Sequence, residues 1–262
     1  MRILPALVLA LLTFGPRAEA GLSSAALDAI AVDVKPGAAL PLSLRFLDET
    51  GAPRTLAAAF ESRPALVIFA DYTCRTLCGP ILEFAAAGLE KSGLRAGSDY
   101  RLLVIGLNPK DGVAEAAAMR SARIGTQTPV AAAATFLIGD DAAVRAATAA
   151  AGFRYVYDRE HDQFAHPAAA FVVDARGRIT RVLSALGLDG ADLRLALVEA
   201  SEGRVGSFGD RVRLLCYGFD PVRGIYTPII MRWLTICAAA MMIVMAGGLA
   251  LLALKASRKA SA

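Results

Sequence analysis

The sequence predicts an α/β domain with a mixed sheet flanked by helices, followed by one C-terminal transmembrane helix. Three observations predict it. Short continuous apolar runs, "ALVIFA" over residues 65–70 and "YRLLVIGL" over 100–107, read as strands buried on both faces. Stretches with helical starts and glycine stops alternate with these runs, as in a layered α/β domain. Residues 233–254, "WLTICAAAMMIVMAGGLALLAL", carry no charge over 22 positions, enough for a helix to cross a bilayer core of ~30 Å.

Taken in order, residues 1–20 combine a basic start, an apolar stretch and an Ala-Glu-Ala ending, the pattern of a cleavable secretory signal. The mature chain is then expected to begin near Gly21, outside the cytoplasm. Residues 21–37 form a lead-in, and the domain is expected over 38–205. "LPLSLRFLDETGAPRTLAAAF" alternates about Glu49-Thr50-Gly51 and predicts a hairpin. After the first buried strand and the two cysteines, "GPILEFAAAGLEKSG" reads as a helix with Pro80 in its first turn and a stop at Gly93. A helix over about 112–123 follows the second strand. "ATFLIG" is a short strand or edge segment, and "DDAAVRAATAAAG" is a helix with an aspartate cap that ends at Gly152. "FRYVYDREHDQFAHP" reads as a polar loop, "AAFVVDARGRITRVLSA" as a hairpin turning at Asp174–Gly177, and "GADLRLALVEASEG" as the last helix of the domain. Residues 206–232 form a juxtamembrane segment before the apolar run.

The formal net charge of +4 comes from the ends of the chain: residues 255–262 supply +3 and residues 1–20 supply +1, so residues 21–254 sum to zero. The basic tail 255–262 is expected in the cytoplasm by the positive-inside rule, with the domain on the periplasmic side of the cytoplasmic (inner) membrane. A domain without a basic stripe offers nothing to a phosphate backbone, which argues against nucleic acid as a partner. "NPKDG" lacks the glycine spacing of a nucleotide cradle and reads as a turn and helix cap, as do Asp140 and Asp141.

The chemistry concentrates in "YTCRTLCGP", residues 72–80. A strand handing over to a helix presents its connecting residues at the rim of the sheet, where ligands bind in α/β folds. The helix dipole favours thiolate at Cys74 and Cys78, and their four-residue separation puts both sulfurs on one side of a first helical turn. The pair can close into a disulfide or grip one soft metal ion. As a structural cross-link, so short a loop would contribute only about 2 kcal/mol. A zinc cage would need a second close pair, which is missing. The histidines are His161 and His166, both in the polar loop before "AAFVVD". Pro167 biases His166 toward an extended backbone. Two thiolates and an imidazole form a mixed soft and borderline donor set suited to copper in either oxidation state.

These residues resemble the SCO/SenC family, thioredoxin-fold proteins named for synthesis of cytochrome c oxidase, in a membrane-anchored variant. The matching features are Cys74 and Cys78 in "TCRTLC" and His166, eight residues before Asp174 of "FVVDARG" and 88 after Cys78. The resemblance spans about residues 38–202. It implies a thioredoxin-like sheet and copper held by Cys74, Cys78 and His166. It further implies delivery or maintenance of copper for the copper-site subunit of cytochrome c oxidase, with a thiol reductant keeping the cysteines reduced. Whether the chain is an enzyme stays open: the alternative is a thiol–disulfide reductase in which Cys74 and Cys78 are a catalytic redox pair. The chain departs from the family's pattern in having Arg75 and Gly79 where proline commonly follows each cysteine. Around the histidine it has Ala165 and Pro167, where the family usually has Asp before and Ser or Thr after. Some membrane-anchored relatives are similar to the segment around Cys216. Cys237 is read as lipid-facing or packing.

Overall fold

The computed structural model describes residues 28–74, 78–202, 204–220, 223–228 and 235–248. In chain order the elements are β1 (Ala31–Val32), β2 (Arg45–Asp48), β3 (Pro53–Thr55), α1 (Leu56–Phe60), β4 (Ala65–Ala70), α2 (Cys78–Lys91), β5 (Arg101–Gly106), α3 (Val113–Arg123), α4 (Pro129–Ala133), β6 (Ala134–Ile138) and α5 (Asp141–Ala150). There follow β7 (Phe153–Arg154), β8 (Val156–Asp158), β9 (Gln163–Ala165), β10 (Ala169–Val173), β11 (Ile179–Ser184), a 3-10 turn (Ala185–Leu188), α6 (Gly190–Ala200), α7 (Phe208–Cys216), β12 (Tyr217–Asp220) and β13 (Ile225–Pro228). The described residues 235–248 are also helical, within a helix labelled α8.

Among the described residues the main sheet has seven strands in the order β11-β10-β4-β5-β6-β2-β3. β4, β5 and β6 are parallel, and β10 and β2 flank them antiparallel. This is the mixed, thioredoxin-like sheet with flanking helices that the sequence predicts. All six residues of β4 are buried because both of its faces are covered. The two-residue period of a strand divides them. Leu66, Ile68 and Ala70 join a core completed by Leu82 and Leu89 of α2, Met119 of α3 and Leu193 and Leu197 of α6. Ala65, Val67 and Phe69 join a second core with Leu56 and Phe60 of α1 and Val144 of α5. "ATFLIG" is an interior strand, β6, between β5 and β2.

Helix starts follow local chemistry. Asp140 caps α5 by accepting from the Ala143 N–H at 2.7 Å, and Glu115 accepts from the Gly112 N–H at 2.8 Å at the start of α3. The turn between β10 and β11 is closed by Asp174, whose carboxylate accepts from the N–H groups of Arg176 and Arg178. Gly177 occupies the left-handed region there at φ 84°.

α7 and the β12–β13 hairpin, within the segment between the predicted domain and the apolar run, pack onto the sheet layer. Arg194 of α6 grips Asp210 of α7 through both carboxylate oxygens at 2.7 and 2.8 Å. Arg194 thereby holds the Asp210 carboxyl well below the usual carboxylate range. Tyr226 of β13 is buried and donates its hydroxyl to Glu199 of α6 at 2.6 Å.

The expectation of a transmembrane helix over 233–254 is corrected. Among the described residues no helix is long and apolar enough to cross a membrane. The secretory signal over 1–20 and the basic tail over 255–262 lie outside the described residues.

Candidate metal centre at the rim of the sheet

β4 ends at Ala70, and the chain passes directly into the cysteine turn. Asp71 is fully buried, and its carboxylate organises that turn. One oxygen accepts from the Thr73 N–H at 3.1 Å and from the Thr73 hydroxyl at 2.9 Å, in the manner of an Asx turn. The Asp71 carbonyl accepts from the Cys74 N–H at 3.2 Å. Between them Tyr72 turns into the core, where its hydroxyl lies 2.9 Å from the carbonyls of both Val104 and Leu137. Gly106 at the end of β5 makes this passage possible, since a Cβ there would lie 2.9 Å from the Tyr72 ring.

Asp111 of "NPKDG" supports the same turn. It accepts from the Tyr72 N–H at 3.1 Å and from the Asn108 amide at 2.9 Å. Burial, reinforced by the nearby Asp71 charge, pushes its carboxyl up to about 6. The segment is a turn and helix start, as its sequence suggests, but its aspartate also buttresses the cysteine turn.

The stretch read as a polar loop is a hairpin, β8–β9, with Val156 opposite Ala165 and Asp158 opposite Gln163. Its aromatic residues pack together: Phe164 lies 5.5 Å from Tyr155 and 5.1 Å from Tyr157, centroid to centroid. Two contacts bind it to the cysteine turn. The second oxygen of Asp71 accepts from the Phe164 N–H at 2.8 Å, and the Sγ of Cys74, which is buried, lies 3.8 Å from Oε1 of Gln163.

His166 immediately follows β9. Its ring stacks at 5.8 Å on Phe153, and its Nδ1 lies 3.0 Å from the Pro167 carbonyl. A carbonyl oxygen only accepts, so this contact calls for the proton on Nδ1. His161 turns instead to Asp158 at 2.8 Å, a hydrogen bond that raises the pKa of the imidazole.

The structure thus brings Cys74 against the strand that leads into His166 and pairs His161 with Asp158. Cys78 opens α2, while residues 75–77 and the side chain of Cys78 lie outside the described set. Among the described residues no group of three or more His, Cys, Asp or Glu side chains is assembled as a metal cage. Cys216 closes α7 with its side chain outside the described set, and Cys237 is exposed on α8.

A model of the SCO1/SenC family matches residues 35–193, more than half of the chain. The chain belongs to the SCO1/SenC family. Solved structures agree on the fold. A protein of Aquifex aeolicus VF5 superposes with a TM-score of 0.57 at 17% identity, covering 65% of this chain and 96% of its own. Yeast Sco1 with copper bound gives 0.50 at 19%, covering 65% and 96%. Arabidopsis thaliana ScoI with copper bound gives 0.50 at 14%, covering 61% and 96%. No functionally curated protein matches the chain in a sequence comparison.

Within this SCO1/SenC domain, the departure at Gly79 has a structural counterpart. A Cβ at Gly79 would lie 2.3 Å from Cζ of Arg123, so the glycine makes room for a guanidinium over the first turn of α2. Arg123 is held there by Glu83 at 2.8 Å. A cation beside a cysteine-bearing helix start favours thiolate. Sequence reasoning missed Asp71, Asp111 and Gln163. For Asp71 a signal existed: an acid directly after a wholly apolar strand and three residues before a cysteine needs buried partners.

Proposed function

We propose that this chain binds copper through the thiolates of Cys74 and Cys78 and Nε2 of His166, and that it delivers or maintains copper for cytochrome c oxidase assembly. Copper is the cargo in this reading. Family membership supports it, and so does the copper named in the yeast and Arabidopsis relatives. The observation that carries it is the contact between Cys74 Sγ and Gln163, three residues before His166, which joins parts of the chain 89 residues apart. The donor types fit the metal: two soft thiolates and one borderline imidazole. Loading requires both cysteines reduced and deprotonated, so a thiol reductant belongs to the cycle. The client in this proposal is the copper-site subunit of the oxidase, met outside the cytoplasm, the compartment toward which residues 1–20 point.

The test is anaerobic copper titration of the reduced full-length protein against a competing chelator. One copper per chain, weakened ~100-fold or more by His166→Ala, is the expected result. Binding indifferent to His166→Ala would turn the site to thiol–disulfide exchange at Cys74 and Cys78.

A further inference from the structure

Gln163 opens β9 with its side chain half-buried, and its amide oxygen faces Cys74 Sγ at 3.8 Å. With the thiol protonated, the contact is an S–H donor on an amide acceptor. Copper loading removes that proton, leaving a thiolate and a carbonyl oxygen, both electron-rich, facing each other. A cation between them relieves that repulsion. The spacing suits a long oxygen contact: a sulfur at ~2.3 Å and a tightly bound oxygen at ~2.1 Å from a shared tetrahedral ion would lie about 3.6 Å apart, and the observed 3.8 Å sets the oxygen farther out.

The surroundings make the amide the relevant donor. Gln163 and Thr73 border a polar hollow of about 610 Å³ that also takes in Asp111, His161 and Asp162. Three of those groups are committed elsewhere. Asp111 accepts from Tyr72 and Asn108, His161 bonds to Asp158, and Asp162 accepts from the Tyr157 hydroxyl. The backbone of β9 is fixed on Asp71 through Phe164, so the Gln163 side chain is aimed by its strand.

Resting on the copper reading above, we propose that Gln163 supplies a fourth, weak oxygen donor to the copper and sets its balance between Cu(II) and Cu(I). An amide oxygen is a hard donor, whereas thiolate and thioether are soft. Adding oxygen to two thiolates and an imidazole therefore favours the higher oxidation state, and a weak long glutamine oxygen is an established axial ligand in trigonal copper sites.

The experiment compares the full-length parent with Gln163→Met and Gln163→Glu. The readouts are the ratio of Cu(II) to Cu(I) affinity by chelator competition and the parallel copper hyperfine splitting of the Cu(II) form by electron paramagnetic resonance. Near-ultraviolet circular dichroism checks the fold of both variants. The soft thioether should lower the ratio on the order of tenfold and the carboxylate should raise it by a similar factor, each with an altered hyperfine splitting. A merely structural role would move both variants in one direction, or neither, and that result overturns the assignment while leaving the copper site intact. Failure of the parent to bind copper would overturn both.

Discussion

The two halves of the site are held in different ways. The cysteine turn continues β4, a strand with β10 and β5 on either side, and it is tied into the core through Asp71, Tyr72 and Asp111. The histidine side is a separate two-stranded hairpin, bound to the cysteine turn through Phe164 on Asp71 and Gln163 on Cys74 and stacked through His166 on Phe153. A lone hairpin is marginal in water. The position of His166 therefore depends on contacts with the cysteine half, and the reverse dependence is weaker. In the proposed copper reading, that asymmetry would let Cys74 retain the ion while His166 yields to an acceptor.

The largest effect should come from the cysteine half. Cys74→Ala should remove tight copper binding, a greater loss than the ~10–100-fold that follows from losing an outer-shell partner, as measured by chelator competition. Retained binding would mean that the metal sits elsewhere.

Asp71→Asn tests the link between the halves. The amide keeps one acceptor for Thr73 but cannot offer a second oxygen to the Phe164 N–H. Copper affinity should fall ~10–100-fold, and stability to urea by about 1–3 kcal/mol, the cost of one unsatisfied buried donor. Equal loss of stability without loss of affinity would show that the hairpin holds its position unaided.

Tyr72→Phe should separate stability from binding. It deletes a hydroxyl that sits between two backbone carbonyls, at about 1 kcal/mol in unfolding free energy, and leaves copper affinity unchanged.

The smallest effect is a pH dependence. Asp111 has an ordinary value of 3.8 and is pushed up to about 6 in the folded protein. Between those values the folded state binds the extra proton, so its contribution to stability grows as pH falls through 6 and is lost above it. His161, raised by Asp158, contributes in the same direction through a window that begins at its ordinary value of 6.5. Melting temperatures at pH 7.5 and 5 should show a rise on acidification that Asp111→Asn reduces and His161→Ala reduces separately.

Much of this architecture is legible in local pattern. The uninterrupted apolar runs mark β4 and β5, Asp140 marks the start of α5, and Gly177 marks the β10–β11 turn. The β8–β9 hairpin is not legible, because two three-residue strands are too short to show alternation and their polar tip dominates the composition. Its aromatic ladder of Tyr155, Phe164 and Tyr157 is visible only once paired. The docking of α7 and β13 on α6 likewise rests on Arg194–Asp210 and Tyr226–Glu199, partners that no local window contains. For the site, the cysteine spacing is a strong local signal. The approach of the histidine strand is a long-range fact, anticipated through family resemblance rather than periodicity. The apolar run over 233–254 led to a spanning helix, whereas among the described residues no helix is long and apolar enough to cross a membrane.

The most direct test of the central claim is X-ray absorption on the copper-loaded, reduced full-length protein and its His166→Ala and His161→Ala variants. The account predicts two sulfur scatterers and one imidazole in the parent, with the imidazole signal lost in His166→Ala and kept in His161→Ala. An imidazole signal that survives His166→Ala, or a shell of sulfur alone in the parent, would contradict it.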